Sequence, residues 1–192
     1  TEYTFSGGEH SRQIDHYTAL TAAQGKVRFE DSKEGMFALR VARQLELPSD
    51  EPVILANESL EPASEKVISR EGVTGNYLNS EGIQGYEVWG RRARWVKLSG
   101  EMQGDSIAIV IMSAPENPNY PPHWMARGYG LFGVNPFGSK VYTEGAEELN
   151  FELQPGESVA FRHRVLIFDG HDPSAEEVEA AYKAFTNGKN TE

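Results

Sequence analysis

Two stretches of this 192-residue sequence concentrate side chains of the kind that bind and transform small molecules. The first runs from Asn79-Ser80-Glu81-Gly82 to Trp89-Gly90-Arg91-Arg92-Ala93-Arg94-Trp95, with two tryptophans, three arginines and three glycines. A strand built for packing alone has no need of that mixture. Trp offers a flat apolar face and one N–H donor, a platform for the C–H face of a sugar ring. Arg offers a planar fork that holds a carboxylate in two-point fashion. Glycines let the backbone approach a ligand or a neighbouring strand. Trp89 and Arg91 are therefore candidates for ligand binding, the alternative being a core tryptophan with an arginine stacked on it. Trp95, in phase with Ala93 and Lys97, reads as core.

The second stretch, Asn117 to Gly138, opens with prolines that force a rigid, irregular loop, and loops on a rigid scaffold are where sites are usually built. His123 is its candidate general acid/base, because its charge can change near neutral pH. A satisfied loop histidine is the alternative. Trp124 would be a second platform, and Arg127 would fix a ligand with its stem packed on Trp124. A third, shorter run, Glu30-Asp31-Ser32-Lys33-Glu34-Gly35, places Glu34 either as a carboxylate aimed from a strand start or in a plain charged turn. His10, His16, His123, His163 and His171 show no HxH or HxxxH spacing, so no metal is expected. No P-loop, GxGxxG, GxSxG or HExxH occurs, and no cofactor is expected.

The chain is acidic, with a net charge of −11 from 18 basic and 29 acidic side chains. Such a surface repels phosphate backbones, which argues against nucleic acid. The imbalance is uneven: Gly85–Lys140 holds six basic residues and four acidic ones, net +2, leaving −13 elsewhere. Either these arginines pair with acids from other elements, or they form a local positive site for a carboxylate or a hydroxyl-rich ligand. There is no cysteine, which excludes disulfides, Cys-ligated zinc and thiol catalysis. No apolar run approaches the roughly 18 residues of a membrane helix. Thr1 does not read as a natural start, and the chain opens on strand-like sequence. That points to a mature or truncated product and slightly favours an extracytoplasmic setting.

The elements that must position these residues are mostly strands. Period-2 alternation predicts strands over His10–Leu20, Lys26–Asp31 with Val27 and Phe29 inward, Met36–Ala42, Leu149–Leu153 and Val159–Phe168. Ala93–Leu98 and Ser106–Met112 read as a hairpin joined by residues 99–105, with Gly100 and Gly104 available for positive φ. Ser174 and Glu177 form a capping box ahead of the stripe Val178, Ala181, Tyr182, Phe185, which predicts a helix at Ser174–Thr186 docked on a sheet edge. Residues 48–69, rich in Glu, Ser and Pro, read as a surface excursion. The fold class expected is an all-β antiparallel sandwich with one C-terminal helix, in a single domain over 1–192.

The three stretches together resemble a bacterial family labelled "methane oxygenase PmoA", a family of unknown function. Its run GDTKEGxFxxR matches Glu30–Arg40, its NSEG and WGxRAxW match Asn79–Gly82 and Trp89–Trp95, and its NPxYPxxWxxRxYGLFxxNPFG matches Asn117–Gly138. The likeness runs from near Tyr3 to Phe168. Two departures stand out. Members carry a further N-terminal portion with a DHPHHRG-like run, so this chain looks like the C-terminal part of a longer protein. Members also have His directly after the loop Trp, where this chain has Met125 and carries its His at 123. Methane oxygenase subunits are membrane-embedded copper proteins, and this sequence shows neither a spanning segment nor a copper-ligand cluster, so the label is not taken literally.

The resemblance implies a galactose-mutarotase-like supersandwich and a carbohydrate-related role. The expected partner is a small-molecule sugar or sugar acid. The leading expectation is an enzyme of lyase, epimerase or hydrolase class, with Glu34 and His123 as acid/base residues; the alternative is a non-catalytic carbohydrate-binding module. Ligand contacts are expected from Arg40, Asn79, Glu81, Trp89, Arg91, Trp124, Arg127 and Asn135.

Overall fold

The structure, a computed structural model, describes residues 1–51, 53–56, 59, 61–67 and 72–188. Its elements run β1 (Glu2–Gly7), β2 (Ser11–Thr21), β3 (Val27–Phe29), β4 (Phe37–Arg40), β5 (Val53–Ala56) and β6 (Pro62–Val67). They continue with β7 (Asn76–Asn79), β8 (Trp95–Met102), β9 (Asp105–Ser113), β10 (His123–Ala126) and β11 (Leu131–Asn135). β12 (Phe151–Leu153), β13 (Ser158–Asp169) and the helix α1 (Ala175–Asn187) complete the chain. The fold is mostly antiparallel β-sheet with one C-terminal helix, as the alternation implies.

A six-stranded sheet in the order β1-β2-β13-β9-β8-β7 forms the main layer. One face of it packs against the small sheet β10-β11-β4 through Tyr77, Val96, Leu98, Ile111 and Val165 on one side and Trp124, Phe132 and Val134 on the other. The opposite face carries Trp95, Val110, Met112 and Leu166, and α1 lays Val178, Tyr182 and Phe185 onto it. The helix therefore covers a sheet face, not an edge. Burying three bulky apolar side chains needs the broad surface of central strands, which an edge lacks. Its capping box forms as read, with the Ser174 side chain accepting from Glu177 N and the Glu177 carboxylate accepting from Ser174 N.

Other local readings are corrected by tertiary context. The β8–β9 connection is a two-residue turn, because pairing continues through Gly100↔Ile107 to Met102↔Asp105. Gln103 and Gly104, at φ 56° and 92°, make a turn whose twist matches the flanking strands. Gly100 stays in the strand. Val27 is 38 % exposed, whereas Phe29 stacks on Phe137 at 4.5 Å. Lys97 is buried and satisfied, its Nζ donating to Asp172 Oδ1 at 2.6 Å and to the Pro173 carbonyl at 2.7 Å. The Pro-rich stretch is irregular only to Pro122; His123 and Trp124 lie in β10, paired with β11. Of the excursion at 48–69, residues 52, 57–58, 60 and 68–69 lie outside the described residues, and β5 and β6 within it form a hairpin.

Candidate functional site

Trp89 follows a 3-10 turn, Gly85–Val88, in which Val88 is anchored in the core while Tyr86 faces solvent. The indole is half-buried, and its Nε1–H is enclosed with no acceptor among the described residues. Arg127 comes in just after β10. Its backbone N–H donates to Leu131 O and its carbonyl accepts from Tyr77 Oη, which fixes the main chain from which the side chain leaves. Its guanidinium sits 5.3 Å from the Trp89 ring centroid and 6.0 Å from that of Tyr129. It makes no hydrogen bond or ion pair among the described residues, and Nε is buried without an acceptor. Ring stacking satisfies the face of the guanidinium plane, not its N–H edge.

Two adjoining hollows share Tyr86 and Trp89. The first, about 320 Å³, is completed by Ala126, Arg127 and Gly128. The second, about 370 Å³, is completed by Glu87, Gly90, Arg91, Tyr142 and Glu144. Gly128 lies close against Tyr86: a Cβ there would press on the edge of the Tyr86 ring, which would have to shift. A larger hollow, about 490 Å³, lies between the sheet and α1. There Arg94 and the Trp95 N–H already donate to the Glu179 carboxylate, so it offers less unmet bonding capacity.

Tyr142 is the residue that the sequence reading missed. Its ring stacks on His123 at 4.8 Å and meets Trp89 edge-on at 5.3 Å. Its hydroxyl donates to Lys33 O at 2.8 Å and accepts from Asn135 Nδ2 at 3.3 Å. Burial raises its pKa. The segment that carries it is stapled by Asp31, whose carboxylate accepts from the backbone N–H of Ser139, Lys140 and Leu149. Burial alone would raise the Asp31 pKa, but these donors to its charged form outweigh that and lower it. Asp31→Asn is therefore expected to cost about 1–3 kcal/mol and to speed amide exchange at Ser139, Lys140 and Leu149. Unchanged exchange at those amides would remove Asp31 from this role.

The candidates read from the sequence fall into separate environments. His123 is only 4 % exposed and lies behind Tyr142, outside the lining of either hollow. Its Nδ1–H donates to Gly90 O at 2.7 Å, which leaves Nε2 as the lone-pair nitrogen, without a partner among the described residues. Burial lowers its pKa despite that hydrogen bond, so the ring is neutral at pH 7. Glu34 is exposed and 3.9 Å from Lys33, and its charge bears on the Tyr142 hydroxyl. Arg91 lines the second hollow and lies 3.8 Å from Glu87. Arg40 covers the Tyr129 ring at 5.3 Å and donates to Tyr129 O.

The remaining candidates do structural work. Trp124 is fully buried, and its Nε1–H donates to Ala93 O at 2.9 Å, so it belongs to the core and presents no ligand face. Its position in β10, opposite Val134, turns the ring between the sheets. Asn135 is fully buried and ties Ser32 O to Tyr142, while its Oδ1 accepts from Phe137 N. Asn79 closes a turn, its Oδ1 accepting from Glu81 N and Ile83 N. Glu81 is exposed and accepts from Ser80 Oγ. Among the described residues no three His, Cys, Asp or Glu side chains group so as to hold a metal ion, and no helix is long and apolar enough to cross a membrane.

No curated protein and no solved structure matches the chain. One family model does match, and nothing in it links the chain to the methane oxygenase PmoA label. Matched over residues 1–183, the chain belongs to DUF6807, a family of unknown function.

Proposed function

We propose that this chain is a carbohydrate-related protein whose groove at Trp89 binds a sugar or sugar acid. The observation that supports this is Trp89 itself. It is half-buried between two hollows, its N–H has no acceptor among the described residues, and Tyr86 and Tyr142 flank it. An aromatic wall with scattered polar groups at its rim suits the alternating C–H and O–H faces of a sugar ring. Each hollow is near the lower end of the range of about 300–1,000 Å³ for ligand pockets, a size for one ring.

Enzymatic action of lyase, epimerase or hydrolase class is the second reading, and His123 favours it. Its imidazole is neutral, with Nδ1–H held by Gly90 O and Nε2 without a partner among the described residues, but it is buried behind Tyr142 and would act as a base only through a group that reaches the groove. Glu34 would act as its acid partner, and Tyr142 stands between His123 and the groove.

Intrinsic fluorescence tests the proposal, because Trp95 and Trp124 are buried and hydrogen-bonded while Trp89 is not. Titration with a panel of sugars and sugar acids is expected to perturb the emission, and Trp89→Ala to remove that response and weaken binding about tenfold or more. A panel that leaves the emission unchanged would sink the sugar reading. Binding with turnover that His123→Gln abolishes would make the protein an enzyme; binding without turnover would make it a binding module.

A further inference from the structure

The two hollows beside Trp89 differ in charge, and the difference says more about the ligand than their shape does. Among the described residues, Arg127 is the one charged residue lining the first. The second holds Arg91, Glu87 and Glu144, and Arg91 already lies 3.8 Å from Glu87. Resting on the sugar-groove reading above, we propose that the ligand is an acidic saccharide that spans both hollows. Its carboxylate-bearing unit lies against Arg127 and an uncharged unit lies against Tyr142.

An unpaired, partly buried cation is costly. A guanidinium taken partly out of water loses hydration that only matched acceptors restore. Other partly buried arginines of this protein obtain them: Arg162 from Glu116 at 2.6 Å, Arg164 from Asp15 at 2.6 Å, Arg92 from Glu147 at 3.1 Å and Arg94 from Glu179 at 3.2 Å. Arg127 has two aromatic rings and no acceptor among the described residues. A planar carboxylate fits its fork at two points, and it is the anion that a sugar acid brings to this groove. The ring that bears this carboxylate would rest against Trp89, which lines both hollows. Glu87 and Glu144 would repel a second carboxylate from the neighbouring hollow and accept hydrogen bonds from hydroxyls there.

Calorimetry on the full chain tests this with four probes: a disaccharide joining a uronic acid to a neutral sugar, the same compound with its carboxylate converted to an amide, a diuronide, and a neutral disaccharide. The acid–neutral compound is expected to bind on the order of 10- to 100-fold more tightly than its amide, the range for charge-assisted hydrogen bonds, and more tightly than the diuronide. Arg127→Gln should erase the preference for acid over amide, lowering the affinity of the acid far more than that of the amide. Arg127→Lys keeps the charge without the fork, and should recover only part of the preference. Both variants should melt like the wild type, since the guanidinium leaves no polar partner orphaned. Equal binding of acid and amide, with Trp89 emission still perturbed, would overturn the acidic ligand and leave the sugar groove standing. A preference that survives in Arg127→Gln, or a diuronide that binds best, would overturn it too. If no probe binds or perturbs Trp89, the sugar groove falls and this inference with it.

Discussion

Trp124→Ala is expected to lower stability by about 3–5 kcal/mol, the range for removing a fully buried aromatic side chain from a core that relaxes only in part. The ring is fully buried between the six-stranded and three-stranded sheets, beside Phe132 at 6.2 Å and with Val134 opposite it in β11. Its loss also leaves Ala93 O without the indole donor. A urea melt should show a reduced midpoint with an unchanged slope. Trp89→Ala gives the contrast. That ring is half-buried at the surface and has no hydrogen bond to lose among the described residues, so its removal should cost well under half as much stability while abolishing the ligand response. Equal losses from the two variants would refute the division between a structural tryptophan and a binding one.

Acid should destabilise the protein well above the pH at which carboxylates protonate. His163 is fully buried, and burial with the nearby His16 pushes its pKa down to about 3. The hydrogen-bond pattern explains why protonation has no place there. Asn117 Nδ2 donates to His163 Nε2 at 3.4 Å, and His163 Nδ1–H can then donate to His16 Nδ1 at 3.3 Å. His16 Nε2–H in turn serves Thr18 Oγ1 at 2.8 Å. Phe37 stacks on His163 at 5.2 Å and supplies no counter-charge.

The sign follows from proton binding. Between about pH 3 and pH 6.5 the unfolded chain holds a proton on residue 163 and the folded chain does not. Stability contributed by the neutral ring is therefore complete above about pH 6.5 and falls as the pH drops through that window. The loss is about 2 kcal/mol by pH 5 from His163 alone. His16 and His123, both lowered chiefly by burial, push in the same direction. The net negative charge, which repels itself less at lower pH, pushes the opposite way. Comparing denaturant melts at pH 7.5 and pH 5 for the wild type and for His163→Phe isolates the histidine, because the global charge term is common to both. A wild-type protein that loses no more stability than the variant would refute it.

Local chemistry was enough to read some of this protein from its residue types. α1 needed only its cap, its stripe and its end, because helical hydrogen bonds and i, i+4 contacts are satisfied within one segment. The long strands β2 and β13 were legible because alternation is a local property of a pleated chain, and β9, buried on both faces, from the glycine-bearing turn that joins it to β8. The short strands β10 and β11 were obscured by surrounding prolines and glycines, and their pairing depends on partners elsewhere.

Which candidate side chains meet was decided by the tertiary structure alone. Trp89 and Trp124 are the same residue type in equally suggestive motifs, and only strand pairing turns one inward and leaves the other at the surface. Tyr142 had no signal around it, since the bonds that carry its segment to His123 come from Asp31, more than one hundred residues earlier. Asp31 lies in the same charged run as Glu34, yet nothing in that run says which carboxylate accepts three backbone donors. The lack of an acceptor for Arg127 among the described residues was equally illegible, because a missing ion pair depends on where the fold places every one of their carboxylates. Side-chain type is a local fact, whereas satisfaction of a buried polar group is a property of the whole packed interior.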